Sequence, residues 1–182
     1  MSAAAPVPSA LIGLYEWAER VEYSAVGTAI AESRYAFAII EALHLFGLAA
    51  AVGFLLLVDL RLLGVAFRNQ PVARVLAQLR PWIIGGFAVV FVTGVLLFWS
   101  AAARMVANPA FAIKLGLILL AGINALYFEL AVGRGMAAQG TVAVVPRSAR
   151  FAGVASIGLW SLVIVFGRLI PYLPSWIPGV IP

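Results

Sequence analysis

Residues 35–64 read YAFAIIEALHLFGLAAAVGFLLLVDLRLLG, and only Glu41 and His44 interrupt the apolar run between Tyr35 and Val58. A helix needs roughly 20 apolar residues to cross a bilayer core, and this run is long enough. The whole chain has the same character. Of its 182 residues 64% are hydrophobic and 10% charged, with a mean hydropathy of +1.08. A soluble domain carries charge on roughly a quarter of its residues, so the principal solvent of this chain is lipid. The fold class that follows is an all-α integral membrane protein.

Four segments are apolar enough to span, at about 35–60, 82–103, 111–132 and 151–172, which predicts a transmembrane four-helix bundle. The preceding stretch, LIGLYEWAERVEYSAVGTAIAES, carries Glu16, Glu19, Arg20, Glu22 and Glu32 and is too charged to span. Its Leu11, Leu14, Tyr15, Ala18 and Val21 recur at helical spacing, which predicts an amphipathic helix lying at the membrane interface. The organisation is thus an N-terminal interfacial segment over 1–34, the four-helix domain over 35–172, and a tail over 173–182. The proline-rich end, PYLPSWIPGVIP, cannot continue a helix, and Trp176 is expected to anchor it at the outer interface.

The net charge of +5 resides in short loops, where it encodes orientation rather than a nucleic-acid surface. Arg61, Arg68, Arg74 and Arg80 flank the first loop; Arg134, Arg147 and Arg150 flank the third; the second has only Arg104. Loops one and three are expected to be cytoplasmic, with both termini outside. MSAAAPVPSA lacks the basic start and apolar core of a conventional signal peptide, so targeting falls to the first span. The absence of cysteine excludes disulfides and thiolate metal sites.

Ionisable groups inside a span cost several kcal/mol and usually face the bundle interior. At about 100° per residue, Glu41 and Asp59 share an azimuth, with His44 about 60° away. Gly47, Ala49, Ala50, Ala51 and Gly53 on the same helix permit close approach of a neighbour. With alternating span directions, Glu41, Lys114 and Arg168 reach similar depth on three helices, His44 lies just beneath, and Arg104 caps that side. These five residues form a candidate cofactor site in the outer half of the membrane. Two readings stand for the charges. Glu41 pairs with Lys114 or Arg168 to fix helix register, or the cations hold an anionic ligand group such as a haem propionate. His44, the only histidine, is either hydrogen-bonded to Glu41 or a backbone carbonyl, or it is a haem axial ligand, a metal ligand or a proton relay. One histidine cannot supply bis-histidine ligation within one chain. Asp59, Arg61, Glu129 and Arg134 form a second polar layer near the cytoplasmic face, read as an inner ring of salt bridges. Asn124 lies between the layers, where it can hydrogen-bond across helices. GRGMAAQG, in the third loop, lacks the lysine of a phosphate loop.

IEALHLFGLAAAVGFLLLVDLRLLG, NPAFAIKLGLILLAGINALYF and SLVIVFGRLIPY resemble an uncharacterised family of bacterial four-helix membrane proteins, a domain of unknown function. The resemblance covers about residues 30–172. It rests on Glu-x-x-His in the first span, Asp-x-Arg at its inner end, Asn-Pro and then Lys entering the third, and Arg late in the fourth. More distantly the chain is similar to CopD-type membrane domains and to HemJ-type protoporphyrinogen oxidases, which usually carry further histidines. That resemblance implies a bacterial inner-membrane location, haem b as the cofactor, His44 as its ligand and Lys114 as the charged partner. The function expected is a redox component associated with a b-type haem or a quinone. The alternative is a non-enzymatic subunit or small transporter-like component whose intramembrane ion pairs are structural. Expected partners are the lipid bilayer and either a second copy of the chain or a membrane redox protein, and not nucleic acid.

Overall fold

The computed structural model describes residues 9–133 and 145–177, and it is all-helical there. α1 is Ser9–Glu22, α2 Ala25–Glu32, α3 Ala36–Leu62, α4 Val72–Trp99, α5 Ala102–Val106, α6 Pro109–Tyr127 and α7 Arg147–Leu169. A π-helical turn, Phe128–Gly133, prolongs α6. α3, α4, α6 with the start of its extension, and α7 are the four helices long and apolar enough to cross a membrane. Large apolar side chains on all four, among them Phe46, Phe91, Leu119 and Val165, face outward. That is the surface a bundle solvated by lipid requires.

Two helix pairs build the bundle: α3 packs along α4, α6 packs along α7, and α3 touches α7 to join them. The α3–α4 seam is closed by small residues. A Cβ added at Gly86 would lie 2.7 Å from the backbone N of Ala51, and one at Gly47 would lie 2.9 Å from Cγ1 of Val89. Lipid tails offer no hydrophobic drive to bring helices together, so association rests on close van der Waals approach. Gly47 and Gly86 allow it.

α4 begins ten residues before the expected Trp82 and runs through Pro81. Proline removes one backbone donor and ordinarily ends or kinks a helix. Here the first turns of α4 are held from outside, since Val72 packs with Leu62 and Ala149, and Phe128 and Val145 cover them. Packing has overridden the local signal. At the other end α4 stops at Trp99 rather than 103 because Ala101, at φ −151 and ψ 34, leaves the helical region. Asn108 then starts α6: its Oδ1 accepts from the Ala110 N–H at 2.9 Å, and Pro109 takes the first helical position, where its missing N–H costs nothing.

The N-terminal segment is two helices, not one. Ser24 breaks it and caps α2, its Oγ accepting both from the Gly27 N–H at 3.4 Å and from Nε1 of Trp99 at 3.0 Å. α1 lies against α5, with Ala18 buried beside Ala102 and Ala103. A carboxylate oxygen of Glu22 accepts from the Ala103 N–H at 2.9 Å. Thus an acid that made the segment unfit to span satisfies a backbone donor of α5. The tail is held at this same end. Trp176 donates its backbone N–H to Ala107 O at 3.0 Å and its Nε1–H to Val106 O at 3.1 Å, while Nδ2 of Asn108 donates to Ile170 O and Leu173 O. Both terminal regions therefore share one end of the bundle, and the 63–71 connection lies at the other.

Candidate functional site

The structure sorts the intramembrane polar residues into an upper group, near the end that carries α1, α2 and α5, and a lower group toward the 63–71 connection.

His44 organises the upper group. It faces α4, where its Nδ1 lies 2.9 Å from Oγ1 of Thr93. That hydroxyl donates to Val89 O at 2.6 Å, the common use of a threonine inside an apolar helix. Its proton is thereby committed, so it accepts from His44, and the imidazole carries its hydrogen on Nδ1. The ring also hydrogen-bonds the backbone of Val90, one turn before Thr93. Gly94 makes the fit: a Cβ there would stand 3.2 Å from Cε1 of His44. On the opposite helix pair, Lys114 lies along α7, with Nζ 3.4 Å from where a Cβ of Gly167 would be. Lys114 and Glu41 are the charged groups within electrostatic reach of the imidazole. Lys114 is half-buried, whereas Glu41, Arg168 and Arg104 are exposed on the protein surface. Among the described residues, the sole ion pair within 4.0 Å is Arg80–Glu129. Neither Lys114 nor Arg168 pairs with Glu41 there.

The lower group holds Asp59, 4% exposed, and Arg61, 3% exposed. The Ser156 hydroxyl of α7 faces the Asp59 carboxyl. Arg61 turns away from it, its Nε donating to Gln70 O at 2.7 Å, which ties the end of α3 to the loop that follows. Asn124 crosses between helices, its Nδ2 donating to Ala152 O at 3.0 Å. Glu129, on the π-helical turn, pairs with Arg80 of α4 at 2.7 Å. The expected inner ring is thus resolved into separate contacts. Asp59 has a hydroxyl, Arg61 a carbonyl and Glu129 an arginine from another helix, while Arg134 lies outside the described residues. Glu41 and Asp59 share an azimuth but not an environment. α7 crosses α3 beside Asp59, where a Cβ on Gly153 would be 3.5 Å from the Asp59 carbonyl oxygen. Helices that cross at an angle cover only part of such a stripe.

Thr93, Ser156 and Arg80 are the partners that the sequence reading did not single out. Depth alone points to Thr93, six residues from the end of α4, opposite His44, eight residues into α3. Ser156 and Arg80 have no comparable signal, because their roles arise from which helices pack and at what angle.

Apolar helices with outward-facing apolar side chains, polar residues gathered between them and both terminal regions at one end define a multi-pass α-helical membrane protein. Residues 14–173 match the family of unknown function DUF6644, and the chain belongs to that family. No curated protein and no solved structure matches it.

Proposed function

We propose that the protein is a membrane redox component that binds a b-type haem in the half of the bundle containing His44. The observation that carries this reading is the state of that imidazole. Thr93 holds Nδ1 and fixes the ring, and a histidine oriented by a hydrogen bond at one ring nitrogen is the kind that ligates haem iron through the other. Lys114 supplies the second requirement, a cation inside the bundle with no carboxylate within 4.0 Å among the described residues. Charges inside a membrane are expensive unless paired, and a propionate would pair this one. Haem supplies one-electron chemistry. The protein's part is to orient the imidazole, neutralise the acidic edge and keep water out. His44 is the one histidine this chain would offer such a group, and Lys114 would face its acidic side. On this reading the 63–71 connection faces the cytoplasm of a bacterial cell and His44 lies in the outer half of the inner membrane, a disposition supported by the arginines of that connection.

The test is a spectrum. Protein expressed with haem supplementation and purified in mild detergent should show a Soret band that disappears in His44→Ala and shifts in Thr93→Val. Thr93→Val leaves the ligand but removes its orienting partner. Absence of the band in the wild-type protein overturns the reading.

A further inference from the structure

The lower half of the bundle contains a cavity of about 510 Å³ between the two helix pairs, bounded by all four long helices. It exists because α4 and α6 stay apart along most of their length. They are joined near one end by Phe98 and Phe111, whose rings stack with centroids 5.7 Å apart. At the other end the join is the Arg80–Glu129 pair, at 2.7 Å with both side chains about half exposed. Between these two ties Ile84 of α4 and Ile118 of α6, which line the cavity, are exposed on the outer surface. The volume falls in the range of small-molecule sites, roughly 300–1,000 Å³.

The lining states what would fit. Leu55, Ile83 and Ile118 give aliphatic wall, and Phe87, Trp160 and Phe128 give aromatic wall; the rings of Phe87 and Trp160 lie 4.8 Å apart. The polar lining is Asp59, Ser156, Asn124 and the Arg80–Glu129 pair. Asp59 is nine-tenths buried and more and has Ser156 beside it. Asn124 gives one amide N–H to Ala152 O, and its Oδ1 can accept. Of the nearby arginines, Arg61 gives its Nε–H to Gln70 O and Arg80, which lines the cavity, pairs with Glu129, and no cation lies within 4.0 Å of the Asp59 carboxylate among the described residues. An anion entering here would meet Asp59, and the one lining cation, Arg80, already has Glu129 as its partner. A cation would find a counter-charge, an amide oxygen and aromatic faces that attract positive charge.

We infer that this cavity is a binding site for lipophilic aromatic monocations, reached from the lipid between α4 and α6, with Asp59 as counter-charge and the Arg80–Glu129 pair at the mouth. The site is distinct from the one at His44 and does not depend on it.

Full-length protein in lipid nanodiscs is titrated with ethidium, a planar aromatic cation, and with Nile red, an uncharged dye, both followed by fluorescence against empty nanodiscs. The wild-type chain should bind ethidium saturably. Asp59→Asn keeps the shape and removes the charge, and it should weaken ethidium by about tenfold or more while Nile red binding persists. Gly122→Leu projects a side chain into the cavity from a position where a Cβ meets nothing within 4 Å, and it should abolish both. No saturable ethidium binding by the wild type overturns the inference, as does undiminished ethidium binding in Asp59→Asn. If Asp59→Asn fails to fold, undiminished binding in Gly122→Leu overturns it alone.

Discussion

Gly85 and Gly86 are adjacent on α4, yet alanine should stabilise at the first and not at the second. At Gly86 a Cβ would sit 2.7 Å from the backbone N of Ala51 and 2.9 Å from its Cα and Cβ. Backbone cannot rotate aside as a side chain can, so α3 and α4 must part by roughly 0.5 Å, and overpacking of this kind costs about 1–3 kcal/mol. At Gly85 a Cβ meets nothing within 4 Å. Alanine there keeps only its helix-propensity advantage over glycine, about 1 kcal/mol. Gly86→Ala gains the same propensity, so its net effect is a loss of up to about 2 kcal/mol. The two variants should therefore differ by about 1–3 kcal/mol, with wild type between them or level with Gly86→Ala. Reversible unfolding in mixed detergent micelles, followed by circular dichroism, measures the difference. The closest approach lies two helical turns from Thr93, so Gly86→Ala should also loosen the His44–Thr93 bond. If Gly86→Ala proves as stable as Gly85→Ala, the α3–α4 seam is not closed as described.

The remaining predictions concern the ends of the bundle and its exposed ion pair. Asn108→Ala removes the cap of α6 and leaves Ile170 O and Leu173 O without their shared donor; a loss of about 2–3 kcal/mol is expected, with faster proteolysis of the tail beyond Leu169. Ser24→Ala should cost about 1 kcal/mol through the lost cap of α2, and it deprives Trp99 Nε1 of its acceptor, which tryptophan fluorescence will register. Arg80 and Glu129 are about half exposed, so a double-mutant cycle should return no more than about 1 kcal/mol of coupling, smaller at high salt. A coupling well above that would mean that lipid shields the pair.

Four spans and the parity that puts both terminal regions at one end were legible in composition and hydropathy, because in lipid every backbone polar group must be satisfied within a helix. Asn-Pro as the entry to α6 was equally legible, since capping is decided by neighbours in sequence. The start of α4 was not. Pro81 is a strong local stop, and only packing of Val72 and Val75 at the foot of the bundle carries the helix past it. Residue type and depth marked His44, Lys114 and Asp59 as intramembrane polar groups. Their side-chain partners were beyond reach: the imidazole meets Thr93 and the Val90 backbone and not Glu41, the Asp59 carboxyl meets Ser156, and Glu129 meets Arg80. A sequence determines how far along a helix each side chain sits and the direction in which it leaves the axis. Which side chains meet depends on how two helix pairs cross, and that is set by where glycine lets backbones touch and where nothing draws α4 and α6 together. The cavity beside Asp59 is a product of that packing, and no single helix encodes it.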